Sequence, residues 1–389
     1  MHILFINLER GWRGGERQTL LTAVGLKEKG WSPTVLVRKD AELARRLKQA
    51  GTPVVERRSS FGAFLYLLFH CRQFDVYHAQ TSAGLTWLAS LRRFIKGKIV
   101  FTRRTAFPIV NENQSVTTCN VKRLQRLRWK WHQPDAFVAI SQAAAADPIA
   151  LGVEPYRIPS AIEYVPADTD HIIAVTDKHN LGGRYVLGTV AALSHEKDPC
   201  TTIRAIHLLW QKRRDFVFLH FGADGDASVE AKALVKELGL EDVYLFMGFE
   251  ARITDIYRLF HVFVLTSRYE ALGSSVLDAF LYAAPVVATR TGGLAELVTE
   301  GRGLACEVGD AQAIAEACDR ILEDEPLRRE MVLTALKWVQ QHHSVEQMVE
   351  AYMQLYLGTL PKPDKTELVT VPEQESLLDP SEDNRPQTK

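Results

Sequence analysis

Short apolar runs alternate along this chain with longer segments in which apolar positions recur at helical spacing. Met1 to Leu8 is apolar and β-prone, residues 18–29 show apolar positions at helical spacing, Leu20, Leu21, Val24 and Leu26, and Thr34 to Val37 returns to strand character. Helices over 41–50, 61–72 and 85–94 then alternate with strands over 53–55, 76–78 and 98–101, and a strand follows at 136–140. A second series starts near Tyr185, with strands at 186–190, 216–221, 244–247, 262–265 and 285–288. Helices at 200–211, 228–238 and 252–259 lie between them, and amphipathic helices at 311–323 and 327–341 close the series. Parallel strands need a helical crossover, so the pattern predicts an α/β protein of two Rossmann-like doubly wound units. The polar, aperiodic stretch 166–183 reads as the linker region, and the proline-rich, charged end of the chain as a disordered tail.

Length agrees with this division, because 389 residues exceed the ~250–300 at which one core stops growing. The expected layout is a first domain over 1–165, a second over 166–343, a helix over 344–358 returning to the first, and the tail over 359–389. Net charge is zero, yet residues 1–165 carry 25 Lys+Arg against 12 Asp+Glu and the remainder 22 against 35. A basic front half fits an anionic partner, although basic solvated helix faces give the same count. Cys71, Cys119, Cys200, Cys306 and Cys318 are odd in number and lack CxxC spacing, so they read as reduced thiols. The apolar run Phe61 to Phe69 is far below the ~18 residues that span a bilayer. A cytoplasmic protein, at most peripheral on a membrane, is expected.

The candidate chemistry lies in strand-to-helix loops. In SRYEALGSSVLDAF, the carboxylates Glu270 and Asp278 bracket the turn Gly273, Ser274, Ser275, which opens an apolar helix. Free amides and the dipole at a helix N-terminus suit a phosphate, and carboxylates suit sugar hydroxyls. Read alone, these residues fit an ordinary helix start equally well. Gly14 and Gly15 in RGGER follow the first strand without a full GxGxxG, which disfavours NAD. Lys197, in the loop after VLGTV, is either a surface lysine or a point charge for a diphosphate. FGADGD carries Gly222, and LFMGF ends on Phe249. All these loops fall at the carboxyl ends of strands, where one crevice receives them. Residues 122–132, KRLQRLRWKWH, interleave basic residues with Leu and Trp, as an interfacial helix does. A plain amphipathic core helix is the second reading, and nucleic acid a distant third.

In order and spacing, LGTVAALSHEKD, FGADGD, LFMGF, SRYEALGSSVLDAF and APVVATRTGGLAELV resemble the donor-binding domain of retaining GT-B glycosyltransferases with a Glu-x7-Glu motif. This group 1 family contains many bacterial lipopolysaccharide and exopolysaccharide sugar transferases. RGGER resembles its N-terminal glycine loop. The resemblance implies a GT-B fold, two domains facing across a cleft, and a nucleotide-diphosphate sugar as substrate, with no cofactor and no metal. Lys197 would neutralise the diphosphate, Gly273, Ser274 and Ser275 would bind its phosphates, Glu270 would hold the transferred sugar, and Asp278 the ribose. The base would stack near Phe249, with Gly222 in the same crevice, and Gly14 and Gly15 would close from the other domain. The chain departs from the pattern in three places. The second Glu is Asp278, an arginine commonly paired with the lysine is Ala192, and a histidine is replaced by Arg104. Glu270, Lys197 and Arg104 are thus the catalytic candidates, and His78, Arg103 and Arg104 the acceptor candidates, His78 being equally a structural histidine. The implied activity is sugar transfer with retention to a lipid-linked or polysaccharide acceptor in envelope glycan synthesis, at the inner face of the cytoplasmic membrane. Alternatives are a GT-B nucleotide-sugar epimerase or a silent sugar-nucleotide-binding partner.

Overall fold

In the computed structural model, residues 1–105 and 118–362 are described, the side chains of 118–121 excepted; the Cys119 thiol and the expected tail from 363 onward lie outside what is described. The first unit comprises β1 (His2–Asn7), α1 (Gly14–Glu28), β2 (Ser32–Arg38), α2 (Glu42–Gln49), β3 (Val54–Arg57) and α3 (Ser60–Phe69). It continues through β4 (Val76–Ala79), α4 (Ser82–Ser90), β5 (Lys98–Arg103), α5 (Thr118–Trp131), β6 (Ala136–Ala139), α6 (Gln142–Ala150) and β7 (Tyr156–Arg157). Its strands form one parallel sheet ordered β3-β2-β1-β4-β5-β6-β7. Helices cover both faces, so β1 reads as the unbroken run Ile3, Leu4, Phe5, Ile6, all fully buried.

After α7 (Thr169–Lys178), the second unit contains β8 (Tyr185–Val190), α8 (Pro199–Lys212), β9 (Phe216–Phe221), α9 (Ser228–Glu237), β10 (Tyr244–Gly248) and α10 (Ile253–Ile256). It ends with β11 (Val262–Leu265), α11 (Ser274–Leu281), β12 (Val286–Thr289), α12 (Gly292–Leu297), β13 (Leu304–Cys306) and α13 (Ala311–Glu323). The parallel order is β10-β9-β8-β11-β12-β13. Both sheets reverse direction of winding beside their first strand, at β1/β4 and at β8/β11, which is where such sheets present ligands.

One stretch differs from its expectation. Residues 166–183 contain α7, capped by Asp168, whose carboxylate accepts from the amides of Asp170 and His171. No residue of α7 is fully buried; only a short apolar face, with Val175 against the core, marks the helix, too little for the periodicity by which a sequence reveals one. Beyond α14 (Glu325–His342), α15 (Val345–Leu357) places Met348, Val349, Tyr352, Leu355 and Tyr356 in the core of the first unit. Gly25 of α1 permits this approach, since a Cβ there would lie 2.5 Å from Val349 Cγ2.

Buried histidines make the fold sensitive to acid. His220 accepts from the Tyr244 hydroxyl at 2.7 Å and donates to the Ala191 carbonyl at 3.1 Å. His343 donates to the Ser160 carbonyl at 2.6 Å. Burial pulls both imidazoles down to about 4. Between about 4 and the ordinary 6.5 the unfolded chain therefore binds more protons than the folded one, and stability rises with pH through that window. Urea midpoints should fall between about pH 7 and pH 5, and His343→Gln should remove part of the fall; equal midpoints would show that these groups titrate normally.

Candidate active site

The loop ending β8 and the loop ending β11 are stitched together before either presents a side chain. Thr266 Oγ1 donates to the carbonyls of Lys197 and Asp198 at 3.1 and 2.9 Å, and the Arg268 amide donates to the Glu196 carbonyl at 2.8 Å. Asp198 caps α8, receiving the Thr201 amide and hydroxyl, and Arg268 Nε donates to its carboxylate at 2.9 Å. This framework brings the Lys197 ammonium onto Glu270 as an ion pair, with both side chains still partly open to solvent at 21% and 15%.

The Glu270 segment is backed by a second glycine pair. The Gly293 amide donates to the Glu270 carbonyl at 2.9 Å, and a Cβ on Gly292 would stand 2.1 Å from that oxygen. In the sequence TRTGGLAELV the only signal of this role is two glycines opening a helix. Gly273 is left-handed, φ 90°, at the N-cap of α11. Ser274 and Ser275 follow as the first two helical residues, whose amides have no intrahelical partner.

From the first unit, α1 starts at Gly14, with Arg13 as N-cap and its amide donating to the Glu16 carboxylate at 3.0 Å. A Cβ on Gly14 would lie 3.0 Å from Ser274 Oγ. The N-termini of α1 and α11 therefore meet across the cleft, and their dipoles add where a diphosphate would sit. Gly15 faces Arg104, whose Cδ would be 3.7 Å from a Cβ placed there. Arg104 donates to Gln80 Oε1 at 2.8 and 3.3 Å and to Ser160 Oγ at 3.2 Å. Burial pulls its guanidinium below the usual range, opposed by Tyr352 and Glu16. Glu16 is itself buried, and desolvation raises its carboxyl although Asn7 and the Arg13 amide pull the other way.

The remaining candidates fall elsewhere. His78 is fully buried, with Nδ1 on the Tyr356 hydroxyl at 2.6 Å and Nε2 near Thr102 Oγ1 and Gln80 Nε2. Desolvation holds it neutral, well below the usual histidine range. It packs α15 onto the sheet, as the structural reading of this histidine expects. Arg103, one residue on from Thr102 along β5, points to the opposite face. There it pairs with Asp147 and stacks 4.8 Å above the Trp131 ring, so its acceptor role is corrected to a structural one. Phe249 stands 64% exposed after β10. Gly222 lies against Ala191, just before Ala192. Asp278 is 6% exposed, and both its oxygens receive Arg17 Nη1, at 2.8 and 2.7 Å. Neither Arg17 nor that pairing was expected, because the two residues are 261 positions apart. In α5, Trp129 is 53% exposed but Trp131 only 6%, so one of the two tryptophans belongs to the core.

Residues 174–338 match the model of Glycosyl transferases group 1, and residues 12–164 that of Glycosyltransferase Family 4. The chain is 32% identical over 138 residues to N-acetyl-alpha-D-glucosaminyl L-malate synthase of Bacillus anthracis, covering 35% of this chain and 36% of that one. It is 33% identical over 130 residues to the lipopolysaccharide core biosynthesis mannosyltransferase LpsB of Rhizobium meliloti, covering 33% and 37%. The match thus spans little more than a third of each of these relatives. Among solved structures, Anabaena Alr3699/HepE in complex with UDP and glucose superposes with a TM-score of 0.81 at 20% identity, over 92% of this chain and all of the other. With these two matches on two Rossmann-like sheets, the chain has the GT-B fold, its front half a Glycosyltransferase Family 4 domain and its back half a Glycosyl transferases group 1 domain.

Proposed function

We propose that this chain transfers a sugar, with retention, from a nucleotide-diphosphate sugar to an anionic glycolipid or glycan acceptor in cell-envelope glycan synthesis. The observation that carries this reading is the meeting of Gly14 and Ser274, the N-termini of two helices from two domains, beside the Lys197–Glu270 pair. Amides at both termini and the Lys197 ammonium would meet the diphosphate's charge. Donor hydroxyls would take over Glu270 from Lys197, freeing the ammonium for phosphate. As the bond from the anomeric carbon to the diphosphate oxygen breaks, its electron pair stays on that oxygen. The acceptor hydroxyl adds to the same face, and its proton passes to a leaving phosphate oxygen. Stabilising the departing diphosphate is then the main contribution to rate. Relatives named as lipopolysaccharide core glycosyltransferases and a structural neighbour crystallised with UDP-glucose support the substrate classes. Arg104, a cation beside Gly15 whose guanidinium donates to the neutral side chains of Gln80 and Ser160, suits an acceptor or donor anion.

The test is a thermal-shift screen against UDP, GDP, ADP and their sugars, followed by product analysis. One nucleotide family should raise the melting temperature by mass action, and that sugar should appear in product with its anomeric configuration kept. A flat screen, or an inverted product, rejects the reading.

Membrane contact forms part of the proposal. No helix among the described residues is long and apolar enough to cross a membrane. α4 lies between α3 and α5, with Trp87 Nε1 donating to Ser60 and Lys130 to Ser82. That face leaves Phe61, Phe69 and Trp129 exposed among the basic residues of 122–132. Such a mixture favours the surface of an anionic bilayer, here the inner face of the cytoplasmic membrane. Flotation with anionic vesicles should fall several-fold in Phe69→Ser/Trp129→Ser, whereas equal flotation with neutral vesicles would remove the electrostatic part of the argument.

A further inference from the structure

One helical turn beyond the meeting point of α1 and α11, each helix carries an opposite charge. Arg17 is three residues after Gly14, and Asp278 four after Ser274, so each lies on the same helical face as its own helix start. Arg17 Nη1 reaches both Asp278 oxygens, at 2.8 and 2.7 Å, and the carboxylate side chain is 9% exposed. Next to it, Gln18 fastens α1 to the segment that leads into the second unit, donating to the Ala161 carbonyl at 2.6 Å and accepting its amide at 2.9 Å. One guanidinium nitrogen shared between both oxygens of an enclosed carboxylate is a charge-assisted contact that ties the two helices at short range.

We infer that Arg17 is a positioning residue whose ion pair with Asp278 holds the two helix N-termini together across the cleft and so builds the diphosphate site, and that Asp278 serves this clasp rather than the donor ribose. The inference rests on the donor reading proposed above. It explains why an aspartate suffices at 278: its partner is a long arginine arriving from the other domain. It also gives the ERQ segment after the glycine pair a purpose, with Glu16 turned back to the N-cap, Arg17 to the second unit and Gln18 to the connecting segment.

Inorganic pyrophosphate, which has no ribose, separates the two roles of Asp278. Titration calorimetry would compare pyrophosphate, UDP and GDP on wild type, Arg17→Ala, Asp278→Ala, the double alanine variant and the charge-exchanged Arg17→Asp/Asp278→Arg. A clasp predicts that either single change weakens pyrophosphate and nucleotide alike, by roughly tenfold or more. It also predicts that the double alanine variant is no worse than either single, and that exchange restores part of the loss. A ribose ligand predicts that Asp278→Ala weakens the nucleotide alone and Arg17→Ala neither probe; that result overturns the clasp. Should wild type bind neither probe, the donor reading fails, and hydrogen exchange decides the clasp separately. Exchange at the first turns of α1 and α11 must then rise in both single variants and recover on charge exchange, or the clasp fails as well.

Discussion

Lys197→Ala should lower the turnover number by roughly 10²–10³, the size expected when one preorganised partner of a developing anion is removed. The loss should appear at saturating donor, because the charge Lys197 would meet grows as the diphosphate leaves. Little of the effect should come from unfolding. The lysine side chain is partly exposed, and its loop is held by Thr266, Arg268 and the Asp198 cap, none of which needs the ammonium. Glu270→Gln separates the two halves of the pair. It keeps the shape, releases Lys197, and should mainly raise the donor KM, since Glu270 is assigned to ground-state hydroxyls as much as to the transition state. Turnover for Lys197→Ala within a fewfold of wild type would place the chemistry elsewhere.

The parallel sheets were legible because their strands are covered on both faces. Runs such as VLGTV, FVFLHF and VFVL carry no polar alternation to confuse with a helix face. The same logic hid α7, in which no residue is fully buried and Val175 is only partly covered. In the site, Lys197 and Glu270 meet from two strand-to-helix loops, because sheet topology alone brings such loops to one edge. What could not be read was distance across the cleft. Arg17 was visible in RGGER, but nothing in one sequence says that it meets Asp278. Burial was misjudged for a subtler reason. Trp129 and Trp131 have the same composition signal, yet two residues on a helix are about 200° apart, so helical phase would have sent one of them inward. His78 followed the same rule on a strand, where it shares a face with Gln80, the face α15 covers.

Gly222→Ala should be the most damaging single methyl in the donor domain. At φ 155° the residue lies outside the ordinary range of side-chain-bearing residues, and its Cβ would stand 1.8 Å from the Ala191 carbonyl oxygen and 2.5 Å from its carbon. Both obstacles are backbone, so no rotamer change relieves them. The Ala191 carbonyl is also the acceptor for His220, and residue 191 leads through Ala192 into the loop that carries Lys197. Relaxation therefore costs a buried hydrogen bond or shifts the donor site. Strain and overpacking together amount to about 3–5 kcal/mol, or on the order of 10 °C in melting temperature for a unit of this size. The donor-induced shift should vanish as well. Gly301→Ala supplies the comparison: it has φ 76° but nothing within 4 Å of the added carbon, so only the left-handed penalty of about 1–2 kcal/mol remains. Equal losses in the two variants would mean that backbone conformation alone sets the cost. A far larger loss at 222, with the donor response gone, would mean that this glycine exists to let β9 and the Ala191 segment touch beside the proposed diphosphate site.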